Sequence, residues 1–302
     1  MRIGVDLGGT KIEAIVLGDD GGECARIRIP SPQGDYNKTI SAIRDVVADV
    51  AKEAGCDTDT KVGVGIPGAT SPKTGLVKNA NSIWIIGHPL ERDLCDALDR
   101  DVRIANDANC FAVSEAADGA GKDCDVVFGV ILGTGVGGGI AINGAPLTGR
   151  NAIAGEWGHN PLPWLNTETE IPGPSCYCGK AGCIETFLSG PGMQHDHAST
   201  GGEDVDTAEI VSRAENGDVH AVETMQRYAD RLARALSGVI NIVDPDVIVL
   251  GGGLSNIARL YEDVPKLLGR YVFSDICETP LVKNIHGDSS GVRGAAWLWP
   301  KS

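Results

Sequence analysis

The chain is predicted to fold as two α/β domains with a cleft between them. Three observations predict this. Apolar segments in the first part alternate between short strand-like runs and longer stretches with helical spacing. A length of 302 residues suits two domains rather than one. A strand, glycine turn, strand unit near the N-terminus also returns 125 residues later, with Gly4, Val5, Leu7 and Gly8 matched by Gly129, Val130, Leu132 and Gly133.

The elements follow in chain order. Arg2–Val5 and Ile12–Leu17 are apolar runs that read as strands, joined through Asp6-Leu7-Gly8-Gly9-Thr10-Lys11. Gly8 and Gly9 permit a tight turn and keep side chains out of the way of a neighbouring molecule. A third strand covers Cys24–Ile29, and Ile40, Ile43, Val46, Val47 and Val50 mark a helix over Tyr36–Ala54. Lys61–Ile66 reads as a buried strand ending at Pro67-Gly68, Leu90–Leu98 as a helix, Val102–Ala105 as a strand and Ala108–Ala117 as a helix. The boundary is expected at Gly119-Ala120-Gly121, giving a first domain of residues 1–118 and a larger one of 119–290. The second hairpin, Phe128–Gly139, opens the larger domain, and Asn160–Ser175, with four prolines, should be a long ordered loop. Helices are expected at Ile184–Leu188, Val219–Val243 and Ile257–Leu268, the last kinked or bounded at Pro265. A strand at Asp246–Leu250 runs into Gly251-Gly252-Gly253. A short helix, Val292–Trp299 within residues 291–302, is placed to pack back on the first domain.

Composition narrows the function. A balance of 26 basic and 41 acidic residues gives a net charge of −15, which opposes nonspecific binding to nucleic acid or anionic membranes. The first residues enter a strand at once, which leaves no room for a signal peptide, and no apolar run approaches a membrane span. A cytoplasmic protein is the expectation. Of nine cysteines, six are scattered and read as reduced thiols, whereas Cys176, Cys178 and Cys183 are clustered.

Six groups of residues carry chemistry. In the first turn, Gly8, Gly9 and Thr10 offer donors to phosphate and Lys11 adds positive charge. Asp6 would repel a phosphate unless Mg²⁺ stood between them, held through water. The second turn, Gly133-Thr134-Gly135, has Ile131 and Val136 where the first has Asp6 and Lys11, so the cation belongs to the first turn. At Asn106-Asp107 a strand hands over to a helix; Asp107 could accept a proton from an attacking hydroxyl, although spacing alone favours a helix cap. Glu156 and His159 suit vicinal sugar hydroxyls, a surface turn being the alternative, and Glu185 is either a second sugar acid or a favourable charge in a first helical turn. His159, Cys176, Cys178 and Cys183 make a Cys₃His set for structural zinc, which would fix one ring nitrogen of His159 and aim the other. The Gly251–Gly253 run suits close approach of a nucleotide, and a tight turn explains it equally well.

These residues resemble the ROK sugar kinases, which share the two-domain, actin-like ATPase (ribonuclease H-like) fold. The resemblance covers essentially the whole chain and rests on Asp6–Lys11, Asn106-Asp107, Leu132–Gly139, Gly155–His159, Cys176–Glu185 and Asp246–Ser255. Within the family, Glu156–Pro163, Ser175–Ser189 and His286–Trp299 are most similar to bacterial fructokinases, also called mannokinases. The resemblance implies Asp107 as catalytic base and Asn106, Glu156, His159 and Glu185 as sugar ligands, with Gly68 and Asn81 near the sugar. It implies phosphate binding by both turns, adenosine beside Gly251, Gly252 and Gly253, and a homodimer. The expected activity is ATP-dependent 6-phosphorylation of fructose with Mg²⁺ and a structural Zn²⁺. Glucokinase or N-acetylhexosamine kinase is the alternative within the family. A sugar-responsive repressor is disfavoured because the chain starts in the first hairpin rather than in a helix-turn-helix, and a filament or chaperone ATPase because of the zinc loop and sugar acids.

Overall fold

The structure, a computed structural model, describes residues 1–299, the Asp288 side chain excepted. Strands β1 (Arg2–Leu7), β2 (Lys11–Leu17) and β3 (Glu23–Pro30) form an antiparallel meander. Helix α1 (Tyr36–Ala54) follows, capped by Asp35 at its start and ended by Gly55 at φ 68°. β4 (Val62–Ile66) lies parallel to β1. After the small pair β5 (Ala69–Thr70) and β6 (Val77–Lys78) and helix α2 (Leu90–Leu98), β7 (Val102–Asn106) joins parallel to β4. The sheet order is β3-β2-β1-β4-β7. Helix α3 (Asp107–Ala117) leaves directly from β7.

The second run comprises β8 (Val126–Leu132), β9 (Val136–Ile142), β10 (Ala145–Pro146), α4 (Ile184–Leu188), α5 (Gly190–Ser199), α6 (Thr207–Glu215), α7 (Val219–Val243), β11 (Val247–Gly251), α8 (Leu260–Leu268) and β12 (Leu281–Lys283). Its sheet order is β10-β9-β8-β11-β12. Helix α9 (Ser290–Ala296) closes the described chain. Residues 133–135 separate β8 from β9 as residues 8–10 separate β1 from β2, so the repeat noted in the sequence coincides with turns of equal length.

Most elements fall near the expected spans; the short strands β5, β6, β10 and β12 are additional, and four helical differences stand out. Helices α5 and α6 are additional: Ser189 caps α5 in a stretch with little apolar periodicity, and Asp206 caps α6, a short helix that buries Ile210 and Ala214. Helix α8 begins at Leu260, and Pro265 lies inside it rather than at its boundary. Helix α9 stops at Ala296; residues 300–302 of the expected terminal helix lie outside the described residues. Helix α3 begins at Asp107, one residue earlier than expected.

The chain divides into two compact units. One comprises residues 1–129, 139–155 and 285–302; the other 130–138 and 156–284. Segments from both sides of residue 118 therefore belong to the first unit. Its core joins Ile3, Val5, Val62 and Val64 of the sheet to Ile43, Val46 and Val50 of α1. Helix α9 packs on β1 and β4 of the same unit, and small residues make that approach possible. A side-chain carbon on Gly63 would lie 1.8 Å from Ala295 O, and one on Gly294 would lie 1.6 Å from Cys110 O of α3, on which α9 also packs.

In the second unit a buried ion network ties the proline-rich loop to α7. Glu170 accepts from Arg231 Nε at 2.8 Å, from Arg234 at 2.7 and 2.9 Å, and from Asn166 N at 2.8 Å. Burial alone would raise the Glu170 carboxyl, yet the two guanidinium groups hold it down at about 2. Arg234 also donates to the carbonyls of Pro163 and Trp164, so an irregular segment is fixed from several points.

Candidate functional site

The first unit gathers the expected charge chemistry. Gly8 commits its N–H to Lys11 O at 2.9 Å and closes the first turn, so the backbone donors that turn can offer a phosphate are those of Gly9 and Thr10. Gln33, which the sequence does not single out, braces the turn by donating to Gly9 O at 2.9 Å. Lys11 Nζ stands 3.9 Å from Glu13, a buried carboxylate that Arg26 and Arg28 also hold, at 3.0 and 2.8 Å. Asp6 is half-buried at the end of β1. Desolvation pushes its carboxyl up to about 6, and the negative charges of Asp107 and Glu13 add to the rise. Neighbouring carboxylates of this kind favour a bound cation, which suits the expected Mg²⁺ role of Asp6.

The structure separates the two readings of the Asn106-Asp107 junction. Asn106 is the N-cap of α3, its side-chain oxygen accepting from Ala108 N at 2.9 Å. Asp107 is the first helical residue, is exposed, and accepts from Ala108 N at 2.8 Å. The capping role that spacing favoured for Asp107 therefore belongs to its neighbour. Asn106 also donates to Gly68 O at 3.1 Å, which joins two expected sugar-side positions. Gly68 has φ 96°, and a side-chain carbon there would lie 2.6 Å from Lys78 O. Asn81 is exposed in the following segment, beside buried Ser82.

The second unit holds the remaining expected residues. Its turn closes differently, with Gly133 N donating to Gly135 O at 3.0 Å. Val136 N donates to Glu185 Oε2 at 2.9 Å, so one of the expected sugar acids braces the second turn. A side-chain carbon on Gly135 would lie 2.7 Å from that oxygen. Trp157 donates to Gly137 O at 2.9 Å, and Gly158 lies so close to Val136 O that a side-chain carbon would come within 2.3 Å. Glu156 and His159 are thereby carried to the same hairpin.

The Gly251–Gly253 run divides its work. Gly251 ends β11; Gly252, at φ 78°, passes so close to β8 that a side-chain carbon would lie 2.4 Å from Leu132 O. Gly253 lines a cavity of about 680 Å³ together with Gly133, Thr134, Gly190, Gln194 and Asn256. That volume fits a small-molecule ligand. Gly190 N donates to Gly133 O at 2.8 Å, which brings the positive end of α5 to the second turn. Gly190, Gln194 and Asn256 were not singled out in the sequence. The Ser-Gly-Pro-Gly start of α5 was the available signal.

The Cys₃His set converges. The ligand atoms of His159, Cys176, Cys178 and Cys183 all lie within 4.8 Å of one another. His159 Nδ1 is 3.6 Å from Cys176 Sγ, and Cys178 Sγ is 3.6 Å from Cys183 Sγ. Such edges suit a tetrahedral ion with soft ligands. Gly179 and Gly182, at φ 86° and 71°, make the turns that the Cys-x-Cys spacing requires. The Lys180 N–H lowers the Cys178 thiol, whereas burial pushes Cys183 up to about 12; a cation would bring both to thiolate. His159 Nε2 faces away from the thiols and lies 3.0 Å from Tyr177 Oη.

The model of the ROK family matches residues 2–302. The chain belongs to the ROK family. An N-acetyl-D-glucosamine kinase of Pectobacterium atrosepticum is 40% identical over 302 residues, covering 99% of this chain and 98% of its own. The ROK hexokinase of Thermus thermophilus superimposes with a TM-score of 0.86 at 29% identity, covering 98% and 97% of the two chains. A ROK glucokinase of Streptomyces griseus, solved with glucose and AMPPNP, gives a TM-score of 0.75 at 28% identity over 98% of each chain. The fold is accordingly the actin-like ATPase type, and the protein is a ROK sugar kinase, an ATP-dependent phosphotransferase. These relatives do not bear out fructose as the substrate, and the N-acetyl-D-glucosamine kinase matches the alternative expected within the family. Among the described residues, no helix is long and apolar enough to cross a membrane.

Proposed function

We propose that this ROK kinase transfers the γ-phosphoryl group of ATP to the 6-hydroxyl of an N-acetylhexosamine, N-acetylglucosamine first. The observation that carries the reading is the bond from Val136 N to Glu185, which makes one carboxylate serve both an expected phosphate turn and an expected sugar position. The 40% identity to an N-acetylglucosamine kinase along nearly the whole chain supports the choice of sugar. In this reading Asp107 accepts the proton as the hydroxyl oxygen attacks phosphorus, and the ADP oxygen leaves. Asn106, Glu156, His159 and Glu185 hold sugar hydroxyls, with Gly68 and Asn81 beside them. Gly9, Thr10, Lys11, Thr134 and Gly135 neutralise phosphate charge, and Gly253 borders the adenosine. Mg²⁺, held through Asp6, offsets charge on the transferred group. Zn²⁺ on His159, Cys176, Cys178 and Cys183 stiffens the loop that presents Glu156 and Glu185. A homodimer in the cytoplasm completes the reading.

Fructose is the second reading, favoured by the likeness of Glu156–Pro163, Ser175–Ser189 and His286–Trp299 to fructokinases. A coupled ADP-release assay with ATP and a panel of N-acetylglucosamine, N-acetylmannosamine, glucose, mannose and fructose decides between them. The reading expects the highest kcat/KM with N-acetylglucosamine and a 6-phosphate product by mass spectrometry. A preference for fructose would hand the assignment to the second reading, and no hexose-dependent ADP would refute both. Metal analysis after dialysis should find one zinc per chain.

A further inference from the structure

The two ring nitrogens of His159 face different partners. Nδ1 lies towards Cys176 Sγ, at 3.6 Å, and Nε2 lies 3.0 Å from Tyr177 Oη. With Nδ1 turned to the thiols as a metal ligand, the ring proton belongs on Nε2, and the N–H donates to the tyrosine oxygen. The two rings meet edge to face, 5.2 Å apart at 88°. Tyr177 is otherwise 81% exposed. An exposed phenol has little packing to hold it, so this polar contact is what orients it. Tyr177 thus presents a hydroxyl to His159, a side chain that in the reading above receives a sugar hydroxyl.

We propose that Tyr177 is an internal stand-in for a sugar hydroxyl, occupying the His159 N–H in the free protein and swinging away when a hexose binds. The inference rests on the reading of His159 as a sugar ligand, and it makes Tyr177 a residue that sets hexose affinity. The contact keeps the imidazole N–H paired and oriented, at the cost of competing with substrate. Because competition acts on the free protein, it weakens ground-state binding without touching the transferred group.

The test is Tyr177→Phe, which keeps the ring and removes the oxygen, at a position exposed enough to leave the fold unchanged. Calorimetric titration of the hexose into the zinc-loaded protein should show Kd falling about fivefold, the scale of one neutral hydrogen bond. KM should fall with it, the change in kcat should be minor, and zinc content should match the wild type. A Kd equal to or weaker than that of the wild type would overturn the inference while leaving the kinase reading intact. A wild-type protein that binds no hexose would overturn both.

Discussion

The two glycine turns occupy equivalent places in their strands and are supported in opposite ways. The first, at residues 8–10, is surrounded by charge: Asp6 before it, Lys11 after it, and Glu13 held by Arg26 and Arg28. The second, at residues 133–135, has Ile131 and Val136 at the matching positions and is braced by Glu185, by Gly190 at the head of α5, and by Gly252 pressed against Leu132. In the proposed reading one turn holds a cation and balances charge, while the other offers the backbone donors of Thr134 and Gly135 from a braced frame. A duplicated backbone shape need not carry duplicated chemistry, because the flanking side chains decide it.

The comparison can be broken from either side. The zinc proposed for the thiols and His159 belongs to the second unit, so its removal tests that side. Stripping the metal with a chelator should abolish hexose turnover, with recovery on adding zinc but not magnesium. Recovery with magnesium alone would remove the loop from the account. On the first side, Asp6→Asn should lower kcat about a hundredfold or more, the scale of losing one preorganised electrostatic group. An Asp6→Asn enzyme within threefold of wild type would show that the charge of the first turn is incidental.

Glu170 supports the second unit by tying its proline-rich loop to α7. Glu170→Ala leaves two buried arginines without their carboxylate and should cost about 3–5 kcal/mol in denaturant unfolding. Its folded carboxyl lies near 2, below the ordinary unfolded value, so the stability it contributes is present above the unfolded value. It should decline as pH falls from about 4.5 towards 2, and Glu170→Gln should flatten that decline in urea melts. The smallest effect compares the turns directly. Gly135→Ala pushes a methyl to 2.7 Å from Glu185 Oε2, whereas Gly9→Ala meets only Ser82 Oγ at 3.8 Å. Steady-state kinetics should show kcat/KM reduced about tenfold for the first and hardly changed for the second. Equal losses would mean that the bracing by Glu185 has no functional weight.

Much of this was legible in the sequence because local chemistry wrote it there. Long apolar periodicity located α1 and α7, and the glycine runs located both turns. Metal-ligand residue types located the Cys₃His set although its spacing is unusual. What the sequence concealed depends on contacts between distant segments. Which residue caps α3 depends on single hydrogen bonds, and spacing favoured the wrong neighbour. Helix α5 has weak periodicity and is held by its cap, so its sequence gives little helical signal, whereas α6 is amphipathic but only nine residues long. Gln33, Gln194 and the Glu170 network become visible only when partners 24, 61 and 64 residues apart, or the walls of a cavity, are brought together. Substrate choice is hidden for a related reason, since hexoses differ by a few atoms that several loops read jointly.

Asp107 carries the account's central claim, and Asp107→Asn tests it most directly. Hexose affinity by calorimetry and hexose-dependent ADP release should be measured on the same preparation. Affinity should stay within about threefold of the wild type while kcat falls by about a thousandfold or more, the upper reach of general base catalysis. A variant that still turns over hexose at near the wild-type rate would contradict the assignment of Asp107 as the base.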